Sequence, residues 1–487
     1  MKVGRKLMTL RPTGSGAVPI VLFDAGAGAL GSPTVSFDGA WIYFSMVPPN
    51  GSFFHIYKMP VGGGAPVRLT DGASHDIDPV ELPDGRIAFT STRIGSYDEY
   101  HAAPSRALFT MTPEGGEIQP LSHTFIFDNE PEVLADGRLL FIRSDNFFDR
   151  GKVETMLHAV YPDGSRGVTE FGLDLGPEYG NRLRAFDCGS PAPMPDGRVA
   201  YVTGSSIAVG RPGAAPQQIR HLPAPAGDVA ALPDGRLLCT LEGLVSLRGG
   251  KTGPGFRRIG VIDPDAAEPR VVIVHESDTP LHSPVALAAR PRPPVIANTT
   301  RPQAATGVLF CQNVRFSKNT TAGWPHVRAV RVLAGKGLTL RSSHSYIVHS
   351  GSEVYDLGTV PIAPDGSIHV EVPADTAIAL QAVDAEGRSE LNEMSWNFVR
   401  PGETRSCIGC HQPRQAAPPV AAAPNLATLT APIKLTHLEH ALRFRGNNPA
   451  VTGLMELQFD RFREVAGMNR HEVPVADLIA RLTAGTE

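Results

Sequence analysis

The chain has 487 residues, of which 50 are Gly and 44 Pro, a density of breakers that excludes long helices over most of its length. An apolar fraction of 42% excludes disorder, and a net charge of −4, evenly spread, excludes an electrostatic footprint for nucleic acid or anionic lipid. No apolar run reaches membrane-spanning length, so short strands joined by many turns are what remains.

At the N-terminus, Lys2, Arg5 and Lys6 precede Pro12, Gly14, Gly16 and Pro19, which interrupt anything resembling a secretory h-region. Residues 5–24 read as an outer strand pair without a preceding hairpin. A repeated unit then begins: SPTVSFDGAWIYFS (32–45), DPVELPDGRIAFTS (78–91), EPEVLADGRLLFIRS (130–144), SPAPMPDGRVAYVT (190–203) and DVAALPDGRLLCT (228–240). Its glycines, Gly39, Gly85, Gly137, Gly197 and Gly235, are spaced by 46, 52, 60 and 38 residues. A D-G pair between apolar runs is a strong hairpin cue, with both central turn residues expected at positive φ. Each hairpin is followed by a second strand pair, and four strands per period of this length is the β-propeller pattern. Residues 283–311 read as an inner strand pair, which would join 5–24 to close a ring of six blades and remove exposed sheet edges.

The propeller is therefore placed at 1–290, closed with strands from 291–311. A proline-dense connector, PRPPVIANTTRPQ (291–303), leads to alternating segments over 305–415, read as a small β-sandwich-like domain. Residues 416–433 read as a Pro/Ala linker. From Lys434 to the end, Leu435, Leu438 and Leu442, then Leu454, Leu457 and Phe462, fit helical faces, so 434–487 is expected to be a short α-helical tail. The fold class expected is mainly β throughout the rest.

Five cysteines, at 188, 239, 311, 407 and 410, are too few for a disulfide scaffold. Two of them fall in Cys407-Ile408-Gly409-Cys410-His411, a CxxCH motif. Thiols at this spacing add to the two vinyl groups of one haem, and the adjacent imidazole becomes an axial ligand. Zinc held by the same thiolates and His411, or a thiol–disulfide pair, are the alternatives. The other axial position has candidates in His344, His349, His369, His437, His440, Met394 and Met455, or stays open to a small ligand. Cys239 in LLCTL reads as core, and Trp396 also reads as core more readily than as a wall of the haem site. Cys188 reads as a buried small hydrophobe, and His75, Asp76 and Asp78 as capping groups at a blade entrance.

The repeats over 30–280 resemble TolB-like propellers, on Asp78, Pro79, Pro83, Asp84 and Gly85. QAVDAEGRSELNEMSWNFVRPGETRSCIGCH (381–411), ARPRPPVI (289–296) and DIDPVELPDGRIAFTSTR (76–93) resemble hydrazine synthase alpha-subunit-like proteins. That resemblance implies a six-bladed propeller before a haem-bearing middle domain. It also implies a zinc ion on the motif histidine, completed by a Cys and an Asp of the propeller, here His411 with Cys188 and with Asp76 or Asp78. The family's iron-binding tyrosine, four residues after the histidine, is Gln415 here, and no second CxxCH exists, so hydrazine synthesis itself is not expected. The expected protein carries one covalent haem c, with zinc as a second cofactor, in a redox or small-ligand role; if an enzyme, it is a haem oxidoreductase. A redox partner protein or homologous subunit is expected, with no nucleic acid and no membrane span. The competing expectation is a non-catalytic interaction scaffold whose CxxCH holds zinc or nothing. Haem attachment to CxxCH occurs outside the cytoplasm, so a periplasmic or otherwise exported protein is expected, its leader upstream or removed.

Overall fold

A computed structural model describes residues 2–11, 18–98, 103–147, 152–171, 188–204, 206–246, 252–316, 324–337, 354–392, 396–409 and 425–438. The chain forms a six-bladed β-propeller followed by a β-sandwich. Five blades are complete antiparallel sheets whose strands run outward from the central channel in chain order. Blade 1 comprises Ala29–Val35, Trp41–Val47, His55–Pro60 and Val67–Arg68; blade 2, Asp76–Glu81, Ile87–Ser91, Ala107–Met111 and Gln119–Pro120. Blade 3 comprises Phe127–Val133, Leu139–Phe147, Lys152–Val160 and Val168–Phe171; blade 4, Cys188–Pro193, Val199–Thr203, Ser206–Gly210 and Arg220–Leu222. Blade 5 comprises Ala226–Ala231, Leu237–Ser246, Thr252–Ile262 and Val271–Glu276.

The five D-G glycines all have positive φ, but the aspartates before them do not. In blade 2 Gly85 N donates to Leu82 O (2.9 Å) and Leu82 N to Arg86 O (2.7 Å). This is a type I turn with a glycine bulge rather than the two-residue turn expected, because the aspartate serves another end. Asp84 Oδ1 accepts Arg86 N (3.1 Å), and the same bond recurs at Asp136, Asp196 and Asp234.

Blade 6 departs from expectation. Its outer strands are Lys6–Thr9 and Ile20–Asp24, as anticipated, but residues 277–305 contain no strand. Ser283 nonetheless has φ +50°, as the inner-strand residues Ser32 and Ser190 do, and its N–H donates to Asp228 of blade 5 (3.0 Å). Residues 283–286 therefore take the sixth inner position, lining the channel without a ladder. The remaining predicted closing strand, Thr306–Cys311, lies in the second domain, paired antiparallel with Ile368–Pro373 and parallel with Thr404–Cys407.

Hydrophobic clusters fill the seams from blade 6 to 1, 1 to 2, 2 to 3, 3 to 4 and 4 to 5. Phe37, Val80, Leu82, Leu139 and Phe141, for example, pack blades 1, 2 and 3 together. The seam from 5 to 6 is polar instead. Lys2 Nζ reaches Asp228 Oδ1 (2.7 Å) and lies 5.0 Å over the Phe256 ring, while Gly4 pairs with Leu30 of blade 1.

Residues 288–300 then run as a strap over the turn end of the propeller. Arg290 N donates to Phe37 O (2.9 Å), Arg292 reaches Glu81 (2.7 Å) and the carbonyls of Leu82 and Pro83, and Thr299 N donates to Asp163 (2.7 Å). A Cβ on Gly137 (φ +89°) would lie 2.2 Å from Pro294 O, whereas one on Gly85 (φ +90°) would meet open space.

The second domain is a sandwich of two four-stranded sheets. One orders Thr404–Cys407, Thr306–Cys311, Ile368–Pro373 and Ile433–Lys434; the other Val354–Pro361, Ala329–Gly335, Ile378–Val383 and Ser389–Asn392. Val330, Val332, Leu357, Val370 and Ile378 are fully buried between them. The described end of the predicted linker is docked rather than loose, since Asp365 accepts Leu426 N (2.8 Å) and Ile433–Lys434 adds a strand. Of the predicted helical tail, Leu435 and Leu438 pack in the sandwich core, and residues 439–487 lie outside the described residues. Arg400 locks the domains together, with Nη1 on His123 Nε2 (2.5 Å) and Asp375 (2.8 Å) and Nε on Asp163 O (2.9 Å).

Candidate functional site

Cys407 ends the edge strand Thr404–Cys407, exposed, and stands in parallel register with Cys311 of the neighbouring strand, whose thiol is buried. Gln312 N donates to Cys407 O (2.9 Å), holding the start of the motif to the sheet. The turn that follows requires Gly409: a Cβ there would sit 2.2 Å from Phe316 O. An exposed thiol at the end of a strand, entering a tight turn, suits the first attachment point of a covalently held group. Cys410 and His411 lie outside the described residues, as do His344, His349, Met394, His440 and Met455. Of the remaining axial candidates, His369 Nδ1 lies 3.3 Å from Thr430 O, and His437 N bonds Leu357 O. Trp396 is core, edge-on to Phe125 at the junction between the domains. Cys239 is fully buried and its thiol is pushed up to about 11 by that burial.

Asp76, Asp78 and Cys188 are not brought together. The repeat explains why. Asp76 in blade 2, Asp128 in blade 3 and Cys188 in blade 4 occupy the same inner-strand position, two residues before the X-Pro step, so blade 3 separates Asp76 from Cys188. Asp76 is fully buried and bound by Arg93 Nη2 (2.7 Å), Arg93 Nε (2.9 Å) and Ser91 Oγ (2.7 Å). Burial works to raise its pKa, but hydrogen bonds from His55, Arg93 and Ser91 outweigh it and hold the carboxyl below its ordinary value. His55 Nδ1 stands 3.5 Å from Asp76, at the limit of hydrogen bonding. His75 Nδ1 accepts Phe54 N (3.2 Å), a capping role. Among the described residues no three His, Cys, Asp or Glu side chains converge as metal ligands.

The propeller's central channel is the other prominent feature of the fold. It encloses about 810 Å³. Six polar residues, one per blade, form a ring within it: Ser32, Asp78, Glu130, Ser190, Asp228 and Ser283. All but Asp228 precede proline and hold φ between +48° and +53°, a strained region for these residues, and the inner strands of blades 1 to 5 bulge there. Neighbours are tied around the ring. Ser32 Oγ donates to Asp78 (2.5 Å), Ser190 N to Glu130 (2.9 Å), Val229 N to Ser190 Oγ (3.0 Å) and Ser283 N to Asp228 (3.0 Å). The sequence signal was present in the repeats as S-P, D-P, E-P and S-P before each hairpin.

Glu130 and Glu132 face this channel, partly reached by solvent but enclosed by protein. Burial, and then the charge of Asp78, push Glu130 up to about 7. Burial also raises Glu132 to about 7, with Glu130 and Asp78 adding to the effect and Arg290 opposing it.

Residues 343–412 match the family described as hydrazine synthase alpha subunit middle domain. The fold is similar to that of Kuenenia stuttgartiensis hydrazine synthase, with a TM-score of 0.61 and 17% identity, covering 82% of this chain. The present chain spans 64% of that protein's length. A putative TolB from Agrobacterium tumefaciens aligns with a TM-score of 0.31 and 17% identity, over 47% of this chain and 86% of its own. No curated protein matches the chain.

Proposed function

The chain is hydrazine synthase alpha-subunit-like, and on that premise we propose that it carries one covalent haem c in a redox or small-ligand role. The observation that carries this reading is the CxxCH motif at 407–411 within the matched 343–412 segment, with Cys407 exposed at a strand end. Cys407 and Cys410 would hold the haem as thioethers, and His411 would ligate its iron; the bound haem supplies one-electron or ligand-binding chemistry. The chain's own contribution is placement. The edge strand holds Cys407 against Thr306–Cys311, and Arg400 fixes that sandwich to the propeller. The exposed edge leaves room for a redox partner or homologous subunit, and haem attachment requires export from the cytoplasm. Hydrazine synthesis is not proposed, given Gln415 at the tyrosine position.

Expression with a cytochrome c maturation system tests this. The expected product has a Soret band that survives denaturation, and Cys407→Ala with Cys410→Ala abolishes it. A colourless protein with stoichiometric zinc would instead establish the scaffold reading.

A further inference from the structure

We propose that the propeller channel is a binding site for a small organic ammonium ion, held by the carboxylates of Glu130 and Glu132. The cavity is of ligand size, about 810 Å³, and its walls are the ring prolines Pro33, Pro79, Pro131, Pro191 and Pro284, apolar surface suited to an alkyl body.

Charge decides the sign of the ligand. Four acids line the channel: Asp78, Glu130, Glu132 and Asp228. Three cations face it, and two are committed: Lys2 to Asp228 (2.7 Å) and Arg292 to Glu81 (2.7 Å). Arg290 lies 4.5 Å over the Phe37 ring and is the cation felt by Glu132. Asp78 takes the hydroxyl of Ser32, and Glu130 the amide of Ser190. Glu132 has no hydrogen-bond partner among the described residues, so its carboxyl faces the channel with only solvent or a ligand to meet it. Such a group costs free energy when ionised, and an incoming cation removes that cost.

Geometry decides the class. Three donors do not converge at metal distance among the described residues. The carboxyls are spread around a ring with proline between them, which suits a bulky ammonium rather than a bare ion. Because Glu130 and Glu132 are held near neutrality, binding is expected to release protons and to weaken as pH falls below about 6. The charged groups that set this titration are Asp78, Asp228 and Arg290, with Glu130 acting on Glu132; Lys2 faces the same channel, paired to Asp228.

The test compares choline with its uncharged isostere 3,3-dimethylbutan-1-ol on the full chain at pH 8, by thermal shift and calorimetry, with matched NaCl as control. Choline is expected to raise the melting temperature in a saturable way and to bind at least about 10-fold more tightly than the alcohol. At pH 6.5, where both glutamates are largely protonated in the free protein, heats in buffers of different ionisation enthalpy are expected to report proton release. Glu132→Gln, whose fold is checked by circular dichroism, is expected to weaken choline about 10-fold and leave the alcohol unchanged. Equal effects of choline and the alcohol, an effect reproduced by NaCl, no saturable response, or undiminished binding in the variant would each overturn the proposal. Haem content does not enter these readouts, so the proposal stands or falls separately from the haem reading.

Discussion

Two seams of the propeller make the same kind of joint with different chemistry. Between blades 2 and 3 the contact is apolar, with Val80, Leu82, Leu139 and Phe141 essentially without solvent exposure. Between blades 5 and 6 it is polar, built on Lys2–Asp228, Lys2 over Phe256 and Ser283–Asp228. The ring position survives in both, since Ser283 keeps the backbone geometry of Ser32, Asp78, Glu130 and Ser190 although blade 6 has no inner ladder. The bonds between neighbours are what all six positions share, since Asp228 lacks the X-Pro step and Ser283 lacks a ladder, so sheet completeness within a blade does not place the ring.

The apolar seam is expected to fail hardest. Phe141→Ala should cost about 3–5 kcal/mol in chemical denaturation, from lost transfer and the cavity left behind. The strap gives the next contrast. Gly137→Ala, whose Cβ meets Pro294 O, should cost about 2–3 kcal/mol, whereas Gly85→Ala should cost only about 1, the price of positive φ alone. Equal costs would show that the strap yields freely. At the polar seam, Lys2→Ala should cost less than about 1 kcal/mol, and the loss should shrink in high salt, because Lys2 is about half exposed.

The channel adds a pH dependence of its own. Glu130 and Glu132 have folded-state pKa values raised from 4.5 to about 7, so the folded state binds more protons between those values. Their contribution to stability is present below about 4.5 and lost as pH rises through about 7, by on the order of 1–3 kcal/mol per group. Glu132→Gln should flatten the fall in melting temperature between pH 5 and 8. A profile unchanged by that substitution would place the titration elsewhere.

Much of this was legible in the residues. The glycines of the D-G turns announced five blades, and the alternation after residue 305 announced a sandwich. Long-range partnership was not legible. TGVLFC alternates as any half-buried strand does, and nothing in its period says that its neighbours are Ile368–Pro373 and Thr404–Cys407 rather than a propeller strand. The separation of Asp76 from Cys188 was illegible for a related reason. Asp76 and Cys188 look alike as loop-edge ligands, but repeat register puts blade 3 between them, and Arg93, two residues past the strand Ile87–Ser91, claims Asp76. The channel ring went unread because each X-Pro pair, taken alone, is an ordinary break; only superposing five repeats turns it into a circle.

The strap has a mechanical consequence. It leaves blade 6 at Ser283, passes over blades 1, 2 and 3, and delivers the chain to the sandwich, where Arg301 N bonds Pro401 O (2.7 Å). It works as a drawstring: the same length of chain that cinches the propeller also tows the domain bearing the CxxCH. A pull on the sandwich is thus transmitted to the rim of the channel, so the two domains are geared to one another rather than merely joined.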